Sequence, residues 1–349
     1  MIVRLTLRSL NGFRARKQHN MKQPEYQGNG WAIHNSDCVE GMAAMPEGSV
    51  DCAIFSPPFG DLFVYSDSER DIGNAGEGEK FLEQYKFFAQ ALTRVMRTGR
   101  MVCVHCTDLP MRKGKHGAIG LQDFSGDLVK AHTDAGLVYH GRATIWKDPV
   151  VEMQRTKALG LLYKQIRKDS VMNRVGMPDY MLFFRKDGEN MEPVSHSAPT
   201  DEKTALKIAR ENLEYMQRQG LVGYIPPDDI LADLIEDAKF DVYDWQKIAS
   251  PVWMDIQQGN VLNRMKGAGD ERHVCPLQLD TIKRCLKLYT KPGDVVMDPF
   301  NGIGSTGYEA IKMRRKYLGF ELKPEYAQQA DRNLQEAEQS TGDMFELAA

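Results

Sequence analysis

Residues 294–321 read DVVMDPFNGIGSTGYEAIKMRRKYLGFE and hold the densest set of side chains that could bind a cofactor. An apolar strand is predicted to end at Asp298, a glycine-rich turn opens a helix, and a second strand ends in Glu321, 23 positions after Asp298. Gly302, Gly304 and Gly307 spell G-x-G-x-x-G, a fingerprint of dinucleotide-binding loops. The physics serves many nucleotide-like cofactors. Glycines let the backbone approach the ligand, the helix N-terminus offers N–H groups, and a carboxylate at the next strand tip accepts two ribose hydroxyls. Two features count against a nicotinamide dinucleotide. Asp298-Pro299-Phe300 puts an acid and a rigid aromatic where a pyrophosphate needs room, and only 42 residues follow Gly307, too few for the sheet and substrate domain of a dehydrogenase. The rest of the sheet must come from the N-terminal half, in a permuted order. A carboxylate beside the loop also suits a cofactor with a cationic amine better than a diphosphate. A ligand-free strand–helix turn is the plain alternative, and a NAD-dependent oxidoreductase the functional one.

Ser56-Pro57-Pro58-Phe59 is the second such segment. It follows the apolar run VDCAIF (50–55), so it emerges where open α/β sheets bind ligands. The prolines hold the backbone extended and leave a carbonyl pointing outward. The Ser56 oxygen and the Pro57 carbonyl can accept N–H bonds from an exocyclic amine while Phe59 stacks on the base that carries it. Two acceptors on the amine hydrogens push its nitrogen toward sp³ geometry and expose the lone pair. Standing alone, the turn reads equally well as an ordinary proline-rich connection.

Positioning these groups requires alternating strands and helices. The pattern predicts a strand at Trp31–Asn35, a helix over 38–45, a strand at Val50–Phe55, and a mobile loop at SDSERDIGNAGEGE. A helix over 79–97 follows, stopped by Gly99 ahead of a strand at Met101–His105. Strand-like runs recur at Ala143–Trp146 and Tyr180–Phe184. After an insert, the pattern resumes with helix 276–289, strand 294–298, helix 305–315, strand 317–321 and helix 324–336, then a short helix or frayed tail. The fold class is α/β, a doubly wound and mostly parallel sheet, permuted and interrupted by a helical insert.

Joint occurrence of four motifs resembles the β-group DNA amino-methyltransferases, which methylate adenine N6 or cytosine N4 with S-adenosylmethionine. The motifs are Asp37-Cys38, SPPF after VDCAIF, HVCPLQ at 273–278, and DPFNGIGST with its distal Glu321. The resemblance covers about 31–186 and 251–335 and implies the Rossmann-like fold of S-adenosylmethionine-dependent methyltransferases. It implies that Ser56, Pro57, Pro58 and Phe59 hold the target base. Asp298, Pro299, Phe300, Gly302, Gly304, Ser305 and Thr306 would line the methionine side of the cofactor. Glu321 would bind its ribose, and Asp37 with Cys38 its adenine edge. His273, Pro276 and Gln278 match a family segment written H-P-x-Q with an altered interior, next to the methionine pocket. Serine at the head of the base motif leans toward cytosine enzymes. The surrounding text is similar to prophage-borne adenine methyltransferases of low site preference, which favours adenine N6 by a small margin. Restriction-modification enzymes share this chemistry. A decayed, non-catalytic DNA-binding module is the remaining alternative.

Cys103, His105 and Cys106 (CVHC) offer three metal-ligand types on alternating strand faces without a second pair at zinc spacing, so no metal is expected. The chain has 349 residues, with 45 Lys plus Arg against 48 Asp plus Glu, and the net charge of −3 conceals a division. A basic leader within 1–30 carries Arg4, Arg8, Arg14, Arg16, Lys17 and Lys22. It reads either as a disordered extension ahead of a start at Met21 or as an arm on phosphates. Lys147–Lys186 has nine bases against four acids, a stretch suited to following phosphates, or else a solvated helix face. Asp187–Ser250 has 14 acids against six bases, with helical runs at 201–219 and 228–239. The organisation expected is thus a leader (1–30), a first catalytic part (31–186), an acidic insert (187–250) and a second catalytic part (251–349). The insert would read bases, cover the site or join subunits into a homodimer. No apolar run could span a membrane, and six cysteines without an export signal suit a reducing cytoplasm.

Overall fold

Val50–Phe55 (β3) is buried at every position, which only a strand covered on both faces permits, and it occupies the centre of the sheet. The computed structural model describes residues 23–59, 79–111, 113–156, 161–195, 202–218, 223–225, 227–228, 242–262 and 277–346. Its other strands are β1 (Tyr26–Gly28), β2 (Trp31–His34), β4 (Met96–Thr107), β5 (Leu109–Met111), β6 (Gly120–Gln122), β7 (Leu137–Ile145), β8 (Asp179–Lys186), β9 (Val252–Trp253), β10 (Val295–Asp298) and β11 (Lys316–Phe320). The helices are α1 (Cys38–Ala44), α2 (Glu79–Val95), α3 (Lys113–His116), α4 (Phe124–Asp134), α5 (Pro149–Thr156), α6 (Glu202–Arg218), α7 (Val242–Ala249), α8 (Leu279–Tyr289), α9 (Ser305–Lys312) and α10 (Pro324–Glu346).

Among the described residues, one sheet has the strand order β1-β2-β11-β10-β3-β4-β8-β7-β9, and β5 pairs with β6 apart from it. The strands β2, β11, β10, β3 and β4 run parallel to one another. β8 is antiparallel to both β4 and β7. The mostly parallel, permuted α/β sheet expected from sequence is therefore present, with the C-terminal strands β10 and β11 seated between the N-terminal β2 and β3. Alternating side chains feed two cores. One face packs Ile33, Ile54, Cys103, Met181 and Phe183 under α8, α9 and α10. The other packs Ala53, Phe55, Val104 and Phe184 under α1, α2 and α4.

Several boundaries differ from expectation, each for a local reason. β4 begins at Met96, directly after α2. Gly99 (φ 76°) sits within it, where the register slips between Val50↔Met96 and Cys52↔Met101, so it forms a bulge and not a helix stop. β7 and β8 run longer than their apolar cores because sheet pairing recruits Tyr139, Arg142 and Lys186. α9 ends at Lys312, and Arg314 takes a left-handed φ of 64° in the turn to β11. α10 continues to Glu346, through the segment expected to be a short helix or frayed tail. Helix α7, in the segment expected to be an insert, packs on its neighbours: Lys287 of α8 meets Asp244 at 2.7 Å, and Trp253 Nε1 donates to the Ile248 carbonyl at 3.0 Å. The leader through residue 22, the loop 60–78, and nearly all of the helical run 228–239 lie outside the described residues.

The permuted halves are joined below the site by a buried ion network. Arg100 of β4 meets Asp294 at 3.1 Å and Asp51 at 3.5 Å, while the Val295 N–H donates to Asp51 at 2.9 Å.

Candidate active site at the C-terminal edge of the sheet

Parallel strands deliver their C-terminal ends to one edge, and the predicted site residues come together there. Asp37 follows β2, Glu321 follows β11, Asp298 ends β10 and Ser56 follows β3, in that spatial order across the sheet.

The Asp298 carboxyl is 5% exposed and, among the described residues, has no ion-pair partner. Burial pushes its pKa up to about 7, and the Phe300 N–H at 2.9 Å with the Thr306 hydroxyl offsets only part of that. A buried carboxyl without a counter-cation fits a cationic ligand. Glu321 Oε2 accepts the Gly302 N–H at 2.7 Å and its Oε1 the Lys323 N–H at 2.9 Å, so the carboxylate is set in orientation by the glycine loop itself. Asn35 Nδ2 donates to the Glu321 and Leu322 carbonyls, at 2.8 and 3.1 Å, and ties the tip of β11 to β2. Asp37 Oδ1 accepts the Val39 and Glu40 N–H groups as the N-cap of α1. Cys38 behind it is buried, and burial pushes its thiol well up.

Two of the three glycines are also required by packing. Gly304 has φ 85°, and a Cβ there would lie 2.7 Å from Leu334 of α10. A Cβ on Gly307 would meet the Tyr317 ring at 2.5 Å. Gly302 alone, with φ 51°, turns its N–H to the carboxylate. Ser305 and Thr306 begin α9 and are buried; Thr306 Oγ1 donates to the Ile54 carbonyl at 3.2 Å, locking the helix start onto β3. Pro299 leads into Phe300, whose ring packs on Phe88 at 4.8 Å. Sequence reasoning missed Asn301, which accepts the Tyr317 hydroxyl at 2.6 Å and whose N–H donates to the Phe320 carbonyl at 2.9 Å, holding the loop to β11. Gln278 caps α8 and its Nε2 donates to Gln258 at 3.1 Å. His273 and Pro276 lie outside the described residues.

Ser56 is half-buried, and Pro57 and Pro58 after it are buried. Phe59 is 2% exposed, its ring edge-on to Phe124 with centroids 6.1 Å apart, so stacking on a base would require its ring to be uncovered. The feature that sequence reasoning did not foresee lies beside Ser56. Its hydroxyl is 3.2 Å from His105 Nδ1 and 3.3 Å from the His105 carbonyl. His105 Nε2 stands 3.4 Å from Asp179 Oδ2, and Lys147 Nζ binds Asp179 Oδ1 at 2.5 Å. Burial works to raise the Asp179 carboxyl, but the His105 ring and the Lys147 ammonium outweigh it and hold it at about 2. Strand parity assembles this chain. Ser56 continues the face of Cys52 and Ile54, and Asp179 lies diagonal to His105 across the β4–β8 ladder on that same face. Its only sequence signal was a lone acid heading an apolar strand and a histidine inside CVHC.

No cluster able to hold a metal exists among the described residues. Cys103 faces Cys52 and Cys285 in the core, and burial raises its thiol well above the ordinary value. The basic stretch is narrower than its nine charges suggest. Lys147 is committed to Asp179, Lys186 donates to the Met96 carbonyl at 2.8 Å, and Arg174 faces Glu152 at 3.9 Å. Lys164, Arg167 and Lys168 remain exposed on one turn. No helix among the described residues is long and apolar enough to cross a membrane.

A family model described as DNA methylase (N6_N4_Mtase) matches residues 50–332. The type II methyltransferase M.Cfr9I of Citrobacter freundii is 23% identical over 327 residues, covering 88% of each chain. The DNA adenine methyltransferase YhdJ of Escherichia coli K12 is 35% identical over 94 residues, 26% of this chain and 30% of that one. Among solved structures, the PvuII cytosine-N4-specific DNA methyltransferase aligns over 94% of this chain and 95% of its own, with a TM-score of 0.54 and 17% identity. TTHA0409 of Thermus thermophilus, complexed with S-adenosyl-L-methionine, aligns over 87% of this chain and 93% of its own, with a TM-score of 0.55 and 20% identity. The last two show a shared fold.

Proposed function

The chain belongs to the N6/N4 DNA methylase family, and from that premise we propose that its sheet edge methylates the exocyclic amine of a base lifted out of DNA, adenine N6 first. It is an S-adenosylmethionine-dependent DNA methyltransferase, and the observation that carries the site assignment is the convergence of Asp298, Glu321 and Ser56 at one edge. The cofactor, when bound, supplies an electrophilic methyl group on a cationic sulfur. Asp298 would hold its ammonium, Glu321 its ribose hydroxyls, and the segment at Asp37 and Cys38 its adenine edge. Pro299, Phe300, Ser305, Thr306 and Gln278 would wall the pocket. Ser56 and the Pro57 carbonyl would accept the amine hydrogens, and Phe59, once uncovered, would stack on the base. Catalysis then comes from orientation and from acceptors placed where positive charge develops on nitrogen. Cytosine N4 is the second reading, carried by serine at position 56. We assign Lys164, Arg167 and Lys168 to phosphates, and the acidic insert to base reading, site covering or a homodimer contact. The five described cysteines, all buried free thiols, suit a reducing cytoplasm.

The test is methyl transfer from labelled S-adenosylmethionine to unmodified DNA, followed by digestion to nucleosides and mass identification of the product. N6-methyl-2′-deoxyadenosine is expected from the wild-type chain, with transfer lowered at least ~100-fold in Ser56→Ala and in Phe59→Ala. N4-methylcytosine would select the second reading. Wild-type rates in both folded variants would overturn the assignment of the base site.

A further inference from the structure

We infer that His105, oriented by Asp179 and Lys147, takes up the proton that Ser56 must shed when the target amine loses one of its own. The inference rests on the base-site reading above and extends it to a positioning residue outside the motif.

Serine differs from aspartate at this position in one chemical respect. An ionised carboxylate accepts an amine N–H with nothing to dispose of, whereas a hydroxyl carries a proton that must point elsewhere. Two acceptors lie within reach of that proton, the His105 carbonyl at 3.3 Å and His105 Nδ1 at 3.2 Å. The carbonyl can orient the hydroxyl but cannot keep a proton. The ring nitrogen can, provided its lone pair faces Ser56. The tautomer is set from the other side. Asp179, ionised between His105 and Lys147, can only accept, so Nε2 carries the hydrogen and Nδ1 presents the lone pair. At 3.4 Å the Nε2–carboxylate contact is longer than a formed hydrogen bond, as such contacts often are before substrate binds, and a cationic ring would draw it in.

The proton account balances. As the N–C bond forms and the S–C bond breaks, the amine nitrogen becomes cationic. It gives one N–H proton to Ser56 Oγ, the Ser56 hydroxyl proton passes to His105 Nδ1, and the resulting imidazolium is held against Asp179 until solvent removes the proton. Lys147 keeps Asp179 ionised throughout. Among the described residues, the charged groups on the ring's side are Asp179 from β8 and, bound to it, Lys147 from the segment after β7. Arg142, Asp108 and Asp123 act instead on Cys106 and Tyr180, which alternate to the opposite face of their strands. His105 is 3% exposed, so bulk water does not substitute for it.

Single-turnover methyl transfer to DNA, measured across pH with cofactor saturating, tests this. Saturation matters because bound cofactor keeps Asp298 ionised and removes its titration from the profile. The wild-type rate is expected to fall on the acid side, since an imidazolium cannot accept the Ser56 proton. His105→Asn keeps an acceptor at the Nδ1 position without basicity. It is expected to lose ~100-fold at the plateau and to have no acid limb, with cofactor affinity unchanged. Asp179→Asn can donate to Nε2 and so no longer fixes the tautomer, and its plateau rate is expected to fall with cofactor affinity unchanged. A flat wild-type profile, an acid limb that persists in His105→Asn, or a wild-type plateau rate in Asp179→Asn overturns the inference. Full activity in Ser56→Ala would instead overturn the base-site reading and the relay with it.

Discussion

Asp298 illustrates how one residue sets function against stability. An unfolded aspartate ionises near 3.9, whereas burial holds the folded one at about 7. Between about pH 4 and 7 the folded chain keeps a proton that the unfolded chain has released, so stability falls as pH rises through this window. Above 7 the full penalty applies. Asp298→Asn is therefore expected to stabilise the ligand-free protein by about 4 kcal/mol at pH 8 and to do nothing at pH 4. Melting temperatures at the two pH values check it, and an equal shift at both would refute it. Cofactor binding should move the opposite way. In the wild type, affinity weakens about tenfold per pH unit below 7, because a cationic ligand takes the ionised carboxyl. Titration calorimetry should find that dependence absent in Asp298→Asn, together with a large loss of affinity. The place of Asp298 at the end of a strand was legible in sequence. Its elevated pKa was not, because burial and the lack of a counter-ion depend on what the rest of the chain places around it.

At the level of elements, the GIGSTG loop shows that a glycine motif also answers to packing. Its glycines would ordinarily be credited with admitting a ligand, yet Gly304 makes room for Leu334 of α10 and Gly307 for the Tyr317 ring. The loop is thus shaped by the last helix and by β11. Gly304→Ala is expected to cost about 2–3 kcal/mol in urea denaturation without any cofactor present, through both the left-handed φ and the close approach. In a double-mutant cycle with Leu334→Ala, the cost of Gly304→Ala should lose its steric part and keep its backbone part. A Gly304→Ala protein of wild-type stability that merely fails to bind cofactor would restore the ligand-approach reading. Element positions themselves were largely visible: VDCAIF became β3 with its expected bounds. The lengths of β4, β7 and β8 were not, because pairing across β4–β8–β7 extends strands through residues with no apolar signal of their own.

For the whole molecule, the near-neutral charge proved uninformative about a DNA partner, and the tertiary structure narrows the candidate surface further than the charge count did. Bases that sequence counted together are separated: Lys147 serves Asp179, and Lys186 caps backbone carbonyls at the far edge. Among the described residues of the stretch, Lys164, Arg167 and Lys168 are exposed on one turn, the turn proposed above to follow phosphates. Replacing all three by glutamine should reduce the slope of log affinity against log salt by about 2–3 while leaving base preference unchanged, since phosphate contacts carry no sequence information. DNA binding measured from low to moderate salt checks this, and an unaltered slope would move the phosphate surface elsewhere. By itself the sequence determined the strand–turn–helix units, the proline-stiffened turn and the permuted order, because each depends on neighbours within a few residues or on how much chain remains. The gathering of residues 56, 105, 147 and 179 into one chain of contacts was decided only by the tertiary structure. Strand register and sheet order place those four side chains on one face, and register is a property of how whole strands pair, which no local pattern encodes.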